Sequence, residues 1–276
     1  MNLSTTTKPT WCPGCWNFQI LAGVKKFLEA KIKNEKDRKK YAIVTGIGCH
    51  AKIYDYLKLN GLNSLHGRVL PTCLGLKIGN PNLNVIGFSG DGDAYAEGIE
   101  HLIHAARYNS DFKYLVHNNQ VFSLTVGQPT PVSEIGFTDK TTPQGVKTIP
   151  LNPIKLMLAS GAGFVARVYA DAKQIEWILE EAFKHNGFAF IEIIQPCLIF
   201  HPDVGYKEKS YLLDEQNHDK TNYAKATEKA EEFDYNTANK IPLGIFYQKE
   251  RQTFENNYEQ LKNLKKKNIG WKNIKR

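Results

Sequence analysis

Residues 84–119, NVIGFSGDGDAYAEGIEHLIHAARYNSDFKYLVHNN, decide the fold. Asn84-Val-Ile-Gly-Phe-Ser reads as a short buried strand ending in Gly90-Asp-Gly-Asp93. From Ala94 to Tyr108, Ile99, Leu102, Ile103 and Ala106 recur at helical spacing. Lys113-Tyr-Leu-Val-His reads as the next strand and closes on Asn118-Asn119. Strand, helix and strand in that order put Asp91 and Asn119 at the carboxyl ends of neighbouring parallel strands, where open α/β sheets bind ligands. A Gly-Asp-Gly alone also serves ordinary turns, so the signal lies in this context. A carboxylate, an amide oxygen and a backbone carbonyl are hard donors. They leave about half an octahedron for diphosphate oxygens and water, which suits Mg²⁺. Gly90 and Gly92 let the backbone approach phosphates, and the following helix N-terminus favours negative charge.

Working outward, Tyr41-Ala-Ile-Val-Thr reads as an earlier strand that ends in Gly46-Ile-Gly48. Gly163-Phe-Val-Ala-Arg-Val, a helix across Ala172–His185 and Phe188-Ala-Phe-Ile-Glu-Ile-Ile-Gln repeat the alternation. The expected fold class is α/β, a mostly parallel sheet with helices on both faces. The stretch from about Gly127 to Asn152 is rich in Pro, Thr and Gly, and loops that long are usually functional. Beyond about Asp203 the chain turns polar, with charged helical patches around Tyr223–Phe233 and Gln248–Lys267. The expected organisation is a ligand-binding domain over 1–205, then a C-terminal extension over 206–276 that wraps on the domain or on a partner. There are no internal repeats.

The net charge of +8 looks like a nucleic-acid signature until its distribution is read. Seven Lys or Arg and no acid fall between Lys262 and Arg276, leaving 29 basic against 28 acidic residues in the other 261. The excess is confined to the tail: a solvated end, or an electrostatic guide for an acidic partner. A zinc-stabilised nucleic-acid-binding protein would need basic residues interleaved with aromatics across a face, so no nucleic-acid partner is expected. No apolar run reaches the roughly 18–20 residues of a membrane span. The first residues, MNLSTTTKPTWCPGC, hold no apolar stretch of secretory type, so a cytoplasmic location is expected.

Five cysteines, Cys12, Cys15, Cys49, Cys73 and Cys197, are an odd number without an export signal, which favours metal binding or catalysis over disulfides. Trp11-Cys12-Pro-Gly-Cys15 alone reads as half a zinc knuckle, a redox pair or a cluster ligand pair. No strand precedes it, which argues against a thioredoxin-like turn. Cys49 and Cys197 each follow a predicted strand end, so both belong to the same sheet edge as Asp91.

The Gly-Asp-Gly to Asn-Asn segment resembles the thiamine-diphosphate motif. With it, the chain resembles the β subunits of 2-oxoacid:ferredoxin oxidoreductases. The resemblance runs in order over residues 8–203, through Trp-Cys-Pro-Gly-Cys at 11–15, Gly-Ile-Gly-Cys at 46–49 and Leu-His-Gly-Arg at 65–68. It continues through Gly-Asp-Gly-Asp at 90–93, His-Ala-Ala-Arg-Tyr-Asn at 104–109, Leu-Thr-x-Gly-Gln at 124–128 and Phe-Val-Ala-Arg at 164–167. It implies a thiamine-diphosphate-binding fold in which Asp91, Asn119 and the Val121 carbonyl hold Mg²⁺. It implies cofactor contacts at Gly48, Cys49, His50, His66, Gly90, Gly92, Asp93, Leu124 and Thr125. It assigns Cys12, Cys15, Cys49 and Cys197 to one [4Fe–4S] cluster, with zinc the alternative, and leaves Cys73 a buried thiol. His66, Lys52 and Leu124 are its candidates for substrate or cofactor contact. The plainer readings are a turn-capping histidine and ordinary packing.

The implied activity is coenzyme A-dependent oxidative decarboxylation of a 2-oxoacid, pyruvate favoured, to acyl-CoA and CO₂, with electrons passed to ferredoxin. The glutamate that promotes ylid formation comes, in this family, from the α subunit. The implied partners are therefore an α (or α/γ) subunit, ferredoxin, coenzyme A and the 2-oxoacid. A thiamine-dependent non-oxidative 2-oxoacid decarboxylase subunit is the alternative, and it needs no cluster cysteines. Val126, Glu97, Ile99-Glu100, His50 and Ala51 depart from the family pattern near the expected pocket, which bears on substrate identity.

Overall fold

In the computed structural model, which describes residues 1–202 and 206–270, the apolar run Tyr41–Thr45 (β1) is buried along its length. It pairs in parallel with Asn60–Asn63 (β2) on one side and Asn84–Gly90 (β3) on the other. Lys113–Asn118 (β4) lies parallel to β3, and a short hairpin, Val121–Phe122 (β5) with Gln128–Pro129 (β6), follows it. Phe164–Tyr169 (β7) and Ala189–Ile194 (β8) continue the parallel set, while Ser210–Leu212 (β9) and Ile241–Gln248 (β10) close it. The sheet order is β2-β1-β3-β4-β8-β7-β10-β9, with β10 antiparallel to β7.

The helices are Asn17–Lys31 (α1), Glu35–Arg38 (α2), Ile53–Tyr56 (α3), Val69–Gly79 (α4), Ile99–Tyr108 (α5) and Pro153–Ala159 (α6). Ala172–Lys184 (α7), Tyr206–Lys209 (α8), Tyr223–Glu231 (α9), Phe254–Asn257 (α10) and Glu259–Lys267 (α11) follow. α7 shows why the sequence folds this way. The Asp171 carboxylate caps it by accepting from the amides of Lys173 and Gln174, and Ile175, Ile178, Leu179 and Ala182 form its buried stripe. That stripe packs with Ile20, Val24 and Phe27 of α1 on one face of the sheet. Leu70, Leu102 and Met157 of α4, α5 and α6 cover the other face. The expected mostly parallel sheet with helices on both faces is what the chain forms.

Two local expectations change. The helix expected from Ala94 breaks into a π-helical turn, Gly92–Ala96, and α5 from Ile99. The Glu97 carbonyl accepts from the Arg68 guanidinium at 2.8 Å, so it is diverted at the break. The polar extension also supplies a buried strand, β10, to the main sheet. Pro242 and Gly244 obscure that strand in sequence, and both are tolerated near a sheet edge. The boundary expected at 205 falls beside residues 203–205, which lie outside the described residues, as do 271–276 of the basic tail. Within the tail, α11 packs beside the turn before β3, where the Leu264 carbonyl accepts from Asn82 Nδ2 at 3.4 Å. No helix among the described residues is long and apolar enough to cross a membrane.

Candidate functional site

β1 leads outward to the edge strand β2, whereas β3 leads the other way to β4. The loops after β1 and β3 therefore diverge and leave a crevice at the carboxyl edge, the position where such sheets bind ligands. Gly48, Cys49 and His50 line it from one side and Gly90 to Asp93 from the other, with Asn119 and Val121 closing it. Its free volume is about 30 Å³, room for a water or two. A larger cavity among the described residues, about 610 Å³, lies elsewhere, between α7 and residues 213–221. It contains none of the motif residues, so chemistry and not size identifies the site.

Asp91 sits at the end of β3, 2% exposed. Its Oδ2 accepts from Thr130 Oγ1 at 2.6 Å and its Oδ1 from the Asn119 amide at 3.5 Å. These contacts offset burial only in part, and burial pushes the carboxyl up to about 7. A buried carboxylate so placed is a poor resident without a cation and a good ligand with one. Asn119 donates through Nδ2 to Ser123 Oγ at 2.8 Å, while its Oδ1 accepts from the Val121 amide at 3.2 Å and keeps a lone pair. One carboxylate, one amide oxygen and a backbone carbonyl on one crevice suit a hard cation that bridges to phosphate. Two glycines are required here. A Cβ on Gly92 would stand 2.1 Å from the Phe122 ring, and one on Gly46 would stand 1.9 Å from Asp93 Oδ2.

Asp93 also lines the crevice, and its carboxylate is tied to the loops after β1 and β2. Its Oδ1 accepts from the Gly67 amide at 2.8 Å and the Ile47 amide at 3.3 Å, and stands 2.8 Å from His66 Nδ1. These donors, with His50 and Ser89, hold its carboxyl below the usual range despite burial. The hydrogen bond to Asp93 raises the His66 pKa in return. His50, fully enclosed, is pushed down to about 4 by burial, so it is neutral at pH 7. His66 thus joins the site through Asp93 and stands outside the crevice wall. Lys52 also stands outside it, donating to the Thr10 carbonyl at 3.1 Å, as do the half-exposed Leu124 and Thr125, whose hydroxyl donates to Gln128 Oε1 at 2.6 Å.

The four cysteines of the expected cluster gather at the same edge. Burial raises the pKa of Cys15, and the nearby Cys12 and Cys197 raise it further. Cys49 is raised by burial, with Cys15 and Cys197 adding to it. Trp11 Nε1 donates to the Cys49 carbonyl at 2.7 Å, tying the Cys12–Cys15 turn to the loop after β1. Cys15 thus lies within electrostatic reach of the other three, and Cys49 within reach of Cys15 and Cys197. Among the described residues no three His, Cys, Asp or Glu side chains are already drawn to a common metal centre. Cys73 is buried on the other side of the sheet, and burial pushes its thiol far up.

The sequence reading missed Thr130, Ser123 and Gln120. Thr130 comes from the long loop after residue 127, whose functional character was legible without the residue being so. Ser123 serves both halves of the site: it accepts from Asn119, and its hydrogen bond lowers the Cys49 pKa.

Comparison with known proteins agrees with this geometry. Residues 46–193 match the family described as thiamine pyrophosphate enzyme, C-terminal TPP binding domain. Residues 205–263 match the family described as the C-terminal part of the pyruvate ferredoxin oxidoreductase beta chain. The chain is 38% identical to the 2-oxoacid:ferredoxin oxidoreductase subunit beta of Saccharolobus solfataricus, over 87% of this chain and 82% of that one. It is 41% identical to the 2-oxoglutarate synthase subunit KorB of Archaeoglobus fulgidus, over 71% and 72% respectively. A solved 2-oxoglutarate:ferredoxin oxidoreductase from Magnetococcus marinus superposes with a TM-score of 0.87 at 30% identity, covering 98% of this chain and 90% of that one.

Proposed function

Because this chain belongs to the β subunits of the 2-oxoacid:ferredoxin oxidoreductases, a thiamine-diphosphate enzyme family, we propose that it forms the diphosphate half of an active site completed by an α subunit. In this reading Asp91, Asn119 and the Val121 carbonyl hold Mg²⁺ on the cofactor's diphosphate. Cys12, Cys15, Cys49 and Cys197 hold a [4Fe–4S] cluster, and the chain divides into a domain over 1–205 that carries both sites and a C-terminal extension over 206–276. The observation that carries it is the buried Asp91, raised to about 7 and facing the crevice between β1 and β3.

When bound, thiamine diphosphate supplies the carbon nucleophile and electron sink for decarboxylation, and the cluster supplies one-electron steps toward ferredoxin. The protein's own residues bind and orient. Asp91 accepts the positive charge of the metal. Neutral His50 lines the crevice without repelling that metal. Gly48, Gly90 and Gly92 keep side chains out of the space for phosphates. Asp93 fixes His66 with its Nδ1 inward, leaving Nε2 for cofactor or substrate at the rim. Leu124, Thr125 and Lys52 sit at that rim, as substrate-side contacts.

For the substrate we favour pyruvate over a larger dicarboxylic 2-oxoacid. Ile47, Leu65, Leu124 and Val126 are exposed apolar side chains near the site, and Lys52 is engaged by the Thr10 carbonyl. Lys52 keeps its charge and two further donors there, so the preference rests on the apolar side chains of the rim. Several relatives are named for 2-oxoglutarate, so the assay is comparative. Five unpaired cysteines suit a reducing, cytoplasmic setting. The test is anaerobic co-purification with the α subunit, then coenzyme A-dependent ferredoxin reduction with pyruvate, 2-oxoglutarate and branched 2-oxoacids. Faster turnover with 2-oxoglutarate would overturn the substrate preference. Carbon dioxide release without ferredoxin reduction would favour the non-oxidative decarboxylase.

A further inference from the structure

Gln120 stands between the two proposed metal-holding positions, Asn119 and Val121, and its backbone is left-handed, φ 59°. Residues with a Cβ adopt that conformation rarely. It is 3% exposed, and each of its polar groups is occupied. Its amide donates to Asn118 Oδ1 at 3.0 Å, and its carbonyl accepts from the Ser133 hydroxyl. Its side-chain Nε2 donates to the carbonyls of Val132 at 2.5 Å and Tyr235 at 3.2 Å. Its Oε1 accepts from the Tyr206 hydroxyl.

Tyr206 and Tyr235 both come from the chain beyond residue 205. Tyr235 reaches the same loop by a second route. Its hydroxyl accepts from Arg167 Nη2 and donates to Glu192 Oε2, each at 2.6 Å. Glu192 Oε1 accepts from Asn118 Nδ2 at 2.7 Å. The residues on either side of Asn119 are therefore both held from the C-terminal segment, one through a side-chain amide and one through a buried carboxylate.

We propose that the C-terminal segment, acting through Tyr206 and Tyr235 on Gln120, sets the left-handed backbone that presents Asn119 and Val121 to the cofactor's metal. Gln120, Tyr206 and Tyr235 are positioning residues and touch no cofactor themselves. The proposal rests on the metal-site reading above. It makes cofactor affinity depend on hydrogen bonds made by a part of the chain outside the thiamine-diphosphate motif.

The test uses the α–β complex and two readouts: Mg²⁺-dependent thiamine diphosphate affinity by calorimetry, and the melting temperature of the metal-free complex. Tyr206→Phe removes one hydroxyl and should weaken affinity about fivefold, the worth of one buried hydrogen bond. Gln120→Leu, which loses the clamp but keeps the Cβ that disfavours positive φ, should weaken it at least twentyfold. Gln120→Gly loses the clamp but adopts positive φ freely, so it should recover part of that loss. Gln120→Leu is the variant most exposed to misfolding, and Tyr206→Phe with Gln120→Gly decide the matter without it. Lower melting temperatures with unchanged Mg²⁺-dependent affinity in both would overturn the proposal and leave the clamp a structural tie. Asp91→Asn is the control: unchanged affinity there overturns the metal-site reading itself. A loss at Asp91 alone overturns only the clamp.

Discussion

Replacing Asp91 with Asn should act in opposite directions on cofactor binding and on the metal-free fold. In the metal-free protein burial moves this carboxyl from an ordinary 3.8 to about 7. Magnesium needs it ionised, so binding expels a proton wherever the group was protonated. The carboxyl is roughly nine-tenths ionised at pH 8 and one-tenth at pH 6, so wild-type affinity for thiamine diphosphate with Mg²⁺ should fall about tenfold across that window. Asp91→Asn keeps the shape and removes the charge. It should lower affinity at pH 8 by roughly a hundredfold, the 2–3 kcal/mol of a charge-assisted ligand. It should also remove Asp91's share of the pH dependence. The stability sign runs the other way. The unfolded chain ionises near pH 3.8, while the folded protein keeps its proton until about 7. Stability is therefore lost as pH rises through that window, by up to about 4 kcal/mol for a shift of roughly three units. Metal-free Asp91→Asn should match wild type near pH 4 and melt at a higher temperature near pH 8. Titration calorimetry of the α–β complex in two buffers of different ionisation enthalpy measures affinity and proton release together. Equal proton release at pH 6 from wild type and Asp91→Asn would refute the reasoning, because the released proton would then belong to another group.

Three further outcomes are expected. Anaerobically prepared protein should carry about four irons per chain, retained in Cys73→Ala and lost in Cys12→Ala or Cys197→Ala. Stoichiometric zinc in place of iron would mean that the cysteines form a different site. Replacing Lys265, Lys266 and Lys267 by Ser should leave ferredoxin reduction unchanged at ordinary salt. α11 packs at the start of β3, and that seven-residue strand puts roughly 20 Å between it and the cysteine edge, beyond about 8–10 Å of screening at ordinary salt. A rate that drops at ordinary salt would restore the tail as a guide. Arg167→Met breaks a fully buried pair, 2.7 Å from Glu192, and should destabilise by about 3–5 kcal/mol, because the carboxylate left behind is buried and unpaired. A melting temperature within a degree or two of wild type would show that water or a rotated donor compensates Glu192.

The parts legible in sequence were those that local chemistry dictates. β3, β4, β7 and β8 are short apolar runs bounded by polar or glycine-rich turns, and the Gly90–Asp93 and Asn118–Asn119 pairs mark where two of them end. Position at a strand end follows from strand length alone, so Asp91 and Asn119 could be placed together without a structure. The orientation of Asp93 could not, since its partners, Ile47, His66 and Gly67, come from two other loops. Thr130 was hidden for the same reason: nothing local distinguishes its hydroxyl within Gln-Pro-Thr-Pro from a solvated one. β10 was hidden by Pro242 and Gly244, which weaken a strand pattern that tertiary pairing with β7 then restores.

Burial also explains why such a chain needs a partner to act. Its crevice holds about 30 Å³, room for a water or two and far from enough for a thiamine ring. The carboxylates at its edge are committed, Asp91 toward the crevice and Asp93 to His66 and two amides, so neither is free to hydrogen-bond an aminopyrimidine. Exposed apolar side chains stand in the loops that follow the strands at this edge, Leu65 at 77% and Val126 at 63% among them, with Leu124, Leu198 and Ile199. Apolar surface gathered around a polar crevice is costly in water and favourable under a protein cover. A covering subunit would bury that rim, enclose the ring of the cofactor and bring the missing carboxylate. It would also exclude water from the reacting carbon. In the reading proposed above, the strands of this chain would fix the charged end of the site, and its loops would leave the organic end to be built by the neighbour.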